Sequence, residues 1–244
     1  MTATNHPTAA QRLRRMHDQL AEAYGPQHWW PAQTPFEVIL GAYLTQNTAW
    51  KAVERSLANL RQAGALTLDG LRALSLKDLR NLIRPSGFYT RKALALKAFV
   101  AMLDKEFAGS LEALAATPTE TLRRRLLALP GVGHETAGVI LLYALGHPVP
   151  VADEYLRRIA GRHRLVPLSA GRKGYESLAD LTRQAFASDS PASHARLFNE
   201  FHALTVAVGK AHCGRTAHCA GCPLSADLHA FAGHSASALR TENQ

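Results

Sequence analysis

Apolar residues along this chain recur at helical rather than strand spacing. Between residues 9 and 25, Leu13, Met16, Leu20 and Ala23 stand three or four apart, which lines one face of a helix. Residues 36–60 are denser in apolar side chains and predict one buried helix and the start of another. From 61 to 110, short helical runs are separated by Gly, Pro, Ser or Thr: LDGLRAL, SLKDLRNLI and TRKALALKAFVAMLDKEF. No segment alternates apolar and polar residues with period two. TPTE at 117–120 has a capping-box pattern with Pro118 at the first helical position, predicting a helix to about Leu129. A second helix is expected from about His134 to Leu145. The Pro-rich crossing GHPVPVAD follows, then a helix in EYLRRIAGRH and two runs near 173–187 and 192–211. Residues 1–8 and the small, polar tail from about 231 are expected to be loose. The predicted fold class is all-α.

Charge adds a partner to this picture. Lys and Arg number 28 against 19 Asp and Glu, a net charge of +9, and a polyanion such as nucleic acid is the first candidate. No apolar run approaches the roughly 20 residues of a membrane span. No apolar stretch follows the N-terminal arginines, so an intracellular, cytoplasmic protein is expected, working as a monomer. Cys213, Cys219 and Cys222 fall within ten positions, an odd, clustered set that suits a metal site better than disulfides.

LPGVG at 129–133 joins two helical runs. Gly131 and Gly133 clear side chains from the turn, so backbone N–H groups and the following helix N-terminus can face a phosphate. Such contact carries no sequence information, which suits a protein that scans DNA. The alternative is an ordinary helical hairpin whose glycines only permit close packing. Asp153 precedes a helical run and is well placed as its N-cap, where the helix dipole favours a carboxylate.

Taken together, LPGVGHETAGVILLYALGHPVPVADEYLRRIAGR resembles the helix-hairpin-helix, Gly/Pro-rich loop and aspartate of the endonuclease III superfamily of DNA glycosylases. The resemblance spans about residues 20–230. GAYLTQNTAW at 41–50, SGFYTRKA at 86–93 and NEFHALTVAVGKAHC at 199–213 are similar to further family segments. It implies two helical domains flanking a DNA-binding cleft: a helical barrel at 32–147, and a domain joining 1–31 to 148–244 with the cysteine loop. The expected partner is double-stranded DNA carrying a damaged base, which is swung out of the stack.

The resemblance also assigns roles. Gln46 would fill the gap left by the flipped base, and Phe88 would wedge beside it. Gly131, Gly133, His134, Thr136, Lys92 and Arg157 would meet the DNA backbone. Asp153 would stabilise the positive charge that develops on the sugar and direct a water. Bifunctional members carry a lysine two positions after Gly-Val-Gly, which forms a Schiff base. Here that position is Glu135, a candidate catalytic residue beside Asp153, and it cannot form one. A monofunctional glycosylase is therefore expected. The departure, with WWP at 29–31 and LTQNTAW, resembles the 3-methyladenine DNA glycosylase III branch, which excises alkylated purines. Trp29, Trp30 and Phe36 are the candidate wall for such a base, through stacking and cation–π attraction; packing in the barrel core is the alternative for each.

In the family a C-terminal loop holds a four-iron four-sulfur cluster through four thiolates. Here the loop reads C-x5-C-x2-C, and the fourth ligand position is Leu228, followed by His229. Either Cys213, Cys219, Cys222 and His229 hold the cluster, or the loop packs without it. The other functional readings are an oxidised-pyrimidine glycosylase with weak or no lyase activity, and a DNA-binding homologue without catalysis.

Overall fold

The computed structural model describes residues 6–30, 32–167 and 171–232, apart from the side chains of His229, Phe231 and Ala232. Expectations for residues 1–5, and for the tail beyond 232, lie outside the described residues. The described helices are α1 (Ala9–Tyr24), α2 (Pro35–Leu44), α3 (Trp50–Gln62), α4 (Leu68–Ala73), α5 (Leu76–Leu82), α6 (Tyr89–Phe107), α7 (Leu111–Ala115), α8 (Thr119–Leu127), α9 (His134–Val139), α10 (Glu154–Arg162), α11 (Gly171–Ala185), α12 (His194–Ala211) and α13 (Ser225–Ala232). Among the described residues the only β pairing is an isolated bridge between Cys213 and Ala217. The all-α expectation is met. The chain divides into two compact units, residues 30–149 and residues 1–29 with 150–244.

In the 30–149 unit, α2 is buried from Phe36 to Leu44. It packs against α3, α6, α9 and the turn that follows α9. A helix apolar on every face, with Glu37 its one charged residue, must sit centrally. Each fully buried Leu or Ile contributes roughly 1.5–3 kcal/mol by leaving water. Thr34 starts the helix by accepting the Glu37 N–H at 3.1 Å, with Pro35 inside the first turn. The buried Glu37 carboxylate is paired with Arg61 at 2.6 Å.

Two helix boundaries differ from the sequence expectation. Thr117 does not cap α8: its hydroxyl donates to the Ala113 carbonyl at 3.2 Å, and Pro118 takes the N-cap position with no side-chain bond. The helix expected over 134–145 is α-helical only to Val139. Ile140–Ala144 form a π-helical turn, an insertion that leaves the apolar pattern unchanged.

In the other unit, α1 opens with a capping box between Thr8 and Gln11. Its Leu13, Met16 and Leu20 are buried, and it packs on α11 and α12. Phe186 anchors that core, with ring centroids 6.0 Å from Phe198 and 5.5 Å from Phe201.

Candidate active site and nucleic-acid interface

The hairpin between α8 and α9 turns at Gly131, whose φ of +76° favours glycine. Gly133, the N-cap of α9, differs: its φ is −95°, and a Cβ there would meet nothing within 4 Å. Nothing inside the protein requires glycine at 133, so its effect is to keep the outer approach clear. No side chain caps α9, and Glu135, exposed in its first turn, lies where the helix dipole favours a negative charge.

Gln46 reaches this hairpin. Its Nε2 donates to the Gly131 carbonyl and to Thr136 Oγ1, both at 2.9 Å. Gln46 follows α2, in a turn where Asn47 has φ +50°. Phe88 sits in a second turn, at the N-cap of α6, with φ +46° and 64% of its surface exposed. A left-handed conformation in a bulky residue is strained. A large apolar ring left in water at such a position has the geometry of a wedge.

Lys92 departs from its expected role as a phosphate contact. It is buried, and its Nζ donates at 2.8 Å to the Leu44 carbonyl, Thr48 Oγ1 and the Ser86 carbonyl. All three ammonium protons are used inside the protein, binding the Gln46 turn to the Phe88 turn. Thr48 reinforces this by donating to the Ser86 carbonyl at 2.6 Å.

The aromatic candidates separate. Trp30 has φ +87°, and its ring lies 5.8 Å from Trp50 and 5.2 Å from Tyr143. It covers Gly41, where a Cβ would come within 3.3 Å of Trp30 Cζ2. Trp50 and Tyr143 were not singled out from the sequence; they lie 20 and 113 positions from Trp30, and only the fold joins them. Phe36 is 4% exposed in the α2 core. Trp29 belongs to the other unit, where Lys210 Nζ lies 4.9 Å from its ring centroid.

Asp153, in that unit, caps α10 as expected: Oδ1 accepts the Leu156 N–H at 2.8 Å. Its side chain is 8% exposed, and Oδ2 lies 3.6 Å from Nε2 of His202 on α12. Beyond it, Arg157 pairs bidentately with Glu154 at 2.5 and 2.7 Å. The Arg157 hydrogen bonds hold the Glu154 carboxyl below its ordinary pKa. Arg158 donates to the Cys213 carbonyl at 3.0 Å, and Arg162 donates to Cys213 Sγ at 2.9 Å. Two arginines of α10 therefore secure the cysteine loop.

Residues 40–184, more than half of the chain, match the model of a family described as HhH-GPD superfamily base excision DNA repair protein. The chain belongs to the HhH-GPD superfamily. A Methanocaldococcus jannaschii protein carrying the name of a DNA repair glycosylase is 36% identical over 214 residues, covering 87% of this chain and 93% of that one. Endonuclease III of Bacillus subtilis is 27% identical over 191 residues, covering 78% of each. The H. pylori 3-methyladenine DNA glycosylase MagIII, solved with 1,N6-ethenoadenine bound, superposes with a TM-score of 0.69 at 29% identity, covering 84% of this chain and 98% of that one. Base excision DNA repair by a glycosylase is the chemistry to which this HhH-GPD chain belongs. No described helix is long and apolar enough to cross a membrane.

The cysteine loop of this HhH-GPD chain does not complete a four-thiolate set. Cys213 is buried, Cys219 exposed and Cys222 half-buried. Burial, then the neighbouring Cys219 and Cys213, push the Cys222 thiol above its ordinary pKa. Leu228 offers no donor, and the side chain of His229 lies outside the described residues. Asp227 is committed elsewhere, to Arg12 at 2.6 Å and His163 Nδ1 at 2.8 Å. Among the described residues no group of three or more His, Cys, Asp or Glu is arranged to hold a metal ion. The described donors do not fit the four-iron four-sulfur cluster, and no chemical step is routed through it.

Proposed function

We propose that this glycosylase is monofunctional and removes alkylated purines from duplex DNA by water attack. What supports the reading is a carboxylate at each of the two sequence positions to which the family resemblance gives catalytic roles. Asp153 is buried and held by a backbone N–H, and Glu135 stands where a Schiff-base lysine would be. Neither Lys92, spent on three acceptors, nor Lys210, over Trp29, replaces that amine.

As the glycosidic bond breaks, positive charge grows on the sugar. A fixed carboxylate stabilises it without reorganising and takes a proton from the attacking water. The base leaves, water adds at the sugar carbon, and an abasic site remains. A cationic or electron-poor alkylated purine is a good leaving group, so little acid catalysis is needed. Trp30, Trp50 and Tyr143 supply aromatic faces of the kind that hold such a base. The ethenoadenine held by the H. pylori relative agrees with this substrate class. Gln46, Phe88 and the Gly131–Gly133 hairpin are assigned to the duplex, and Arg157 to phosphate.

The test is base release from two duplexes, one with methylated purines and one with oxidised pyrimidines, each read with and without alkali. Methylpurine release that yields strand breaks only after alkali is the expected outcome. Nicking at oxidised pyrimidine without alkali, with a borohydride-trapped covalent complex, would overturn both the substrate and the mechanism. Unchanged base release by Asp153→Asn would remove the proposed catalyst.

A further inference from the structure

We infer that His202 is a positioning residue for Asp153, an inference that rests on the catalytic role proposed above. The carboxylate is fixed at one oxygen only by its helix: Oδ1 takes the Leu156 N–H at 2.8 Å. Oδ2 faces Nε2 of His202 at 3.6 Å, and both side chains are nearly sealed from water, at 8% and 7% exposure. That separation is just beyond a hydrogen bond and too short to admit a water between the two groups. Catalytic hydrogen bonds are often long before substrate arrives and tighten afterwards.

The packing of α12 on α10 sets this approach. Gly209 lies seven residues after His202, two turns along the same helix face. A Cβ at Gly209 would overlap the Tyr155 ring of α10. Glycine there lets the helices close, bringing His202 opposite the first turn of α10. Thr205 Oγ1 donates to the His202 carbonyl at 2.8 Å and secures the local turn.

With Nε2 carrying its proton, His202 donates to Oδ2 while Leu156 donates to Oδ1. The plane of the carboxylate is then held at both ends. A carboxylate free to rotate about one anchor meets the developing sugar cation less often, and a misplacement of about 1 Å costs on the order of 100-fold in rate. His202 itself touches no reacting atom in this scheme.

The experiment measures single-turnover release of methylpurine and, separately, affinity for a duplex carrying an uncleavable abasic-site analogue. Wild type, His202→Phe, His202→Gln and Asp153→Asn are compared, with folded fraction checked by far-UV circular dichroism. His202→Phe is expected to release base about 100-fold more slowly, with affinity unchanged within twofold. His202→Gln, whose Nε2–H reaches the same place, is expected to recover to within about tenfold of wild type. Wild-type release by His202→Phe, or equal losses in both His202 variants, would overturn the inference. If Asp153→Asn keeps full activity, the proposed function itself fails; if it is inactive while His202→Phe is not, only the role of His202 fails.

Discussion

The side-chain amide of Gln46 donates to the hydroxyl of Thr136 at 2.9 Å, so the residue assigned to the duplex gap is held against the hairpin assigned to the duplex backbone. To enter a gap, Gln46 must give up this bond and the one to the Gly131 carbonyl. Gln46→Ala should weaken binding to a duplex with an abasic-site analogue about tenfold, roughly 1.4 kcal/mol. Thr136 is buried, at 8% exposure, which withdraws it from the backbone contact expected of it, so Thr136→Val should lower stability by about 1 kcal/mol without weakening that binding. Fluorescence anisotropy and urea denaturation read the two effects. Equal binding losses in both variants would mean that the bond belongs to the DNA-bound state.

Phe88 offers a test in which stability and activity move apart. Its ring is exposed and its backbone is left-handed, at φ +46° and ψ +23°. Phe88→Gly should raise stability by about 1 kcal/mol by relieving that strain. The same change should slow base release from duplex by about tenfold, because no ring remains to prop the stack. Thermal unfolding and single-turnover assays on one preparation decide it.

Burial pulls the Lys92 ammonium from its ordinary 10.5 down to about 8. The unfolded chain keeps that proton to about pH 10.4. Between about pH 8 and 10.5 the unfolded state therefore binds more protons, and this group makes stability rise with pH. Lys92→Met lacks the slope. The stability of wild type minus that of Lys92→Met, from urea midpoints at pH 7.5 and 9.5, should be larger at the higher pH. A constant difference would mean the buried ammonium titrates like an exposed one.

Asp227 predicts the opposite limb. Burial alone would raise its pKa, but the His163 and Arg12 hydrogen bonds and charges outweigh burial and hold it below the ordinary carboxylate range. Its stabilisation is present above about pH 3.9 and lost as pH falls through the lower folded value. Asp227→Asn should cost about 3 kcal/mol at pH 7, since the buried Arg12 guanidinium loses its carboxylate counter-charge. The gap from wild type should narrow below pH 4 in acid-unfolding curves.

What was legible in the chain was local. Leu13, Met16 and Leu20 announce the buried face of α1 by spacing, and Asp153 announces a cap by preceding a helix. The role of Lys92 was not legible. It stands beside Arg91 in a basic stretch, and its acceptors come from positions 44, 48 and 86, brought together by tertiary folding. Trp50 and Tyr143 were missed for the same reason, and so was His202, one of several polar residues along α12 that spacing alone does not set apart. The π turn at 140–144 escapes any periodicity reading because one extra residue in a fully apolar run changes no pattern.

The unit of residues 1–29 and 150–244 is assembled from two stretches that the other unit separates in sequence, so its parts are synthesised at different times. Helix α1 leaves the ribosome long before α11 and α12, whose surfaces cover Leu13, Met16 and Leu20. At about 5–20 residues per second, an apolar face stays without its partners for several seconds or longer while residues 30–149 emerge and gather their own contacts. Chains halted once residue 149 has cleared the ribosome should thus carry a protected 30–149 unit and an exposed α1, the condition in which a trigger-type chaperone would bind α1 and a probe protease would clip it.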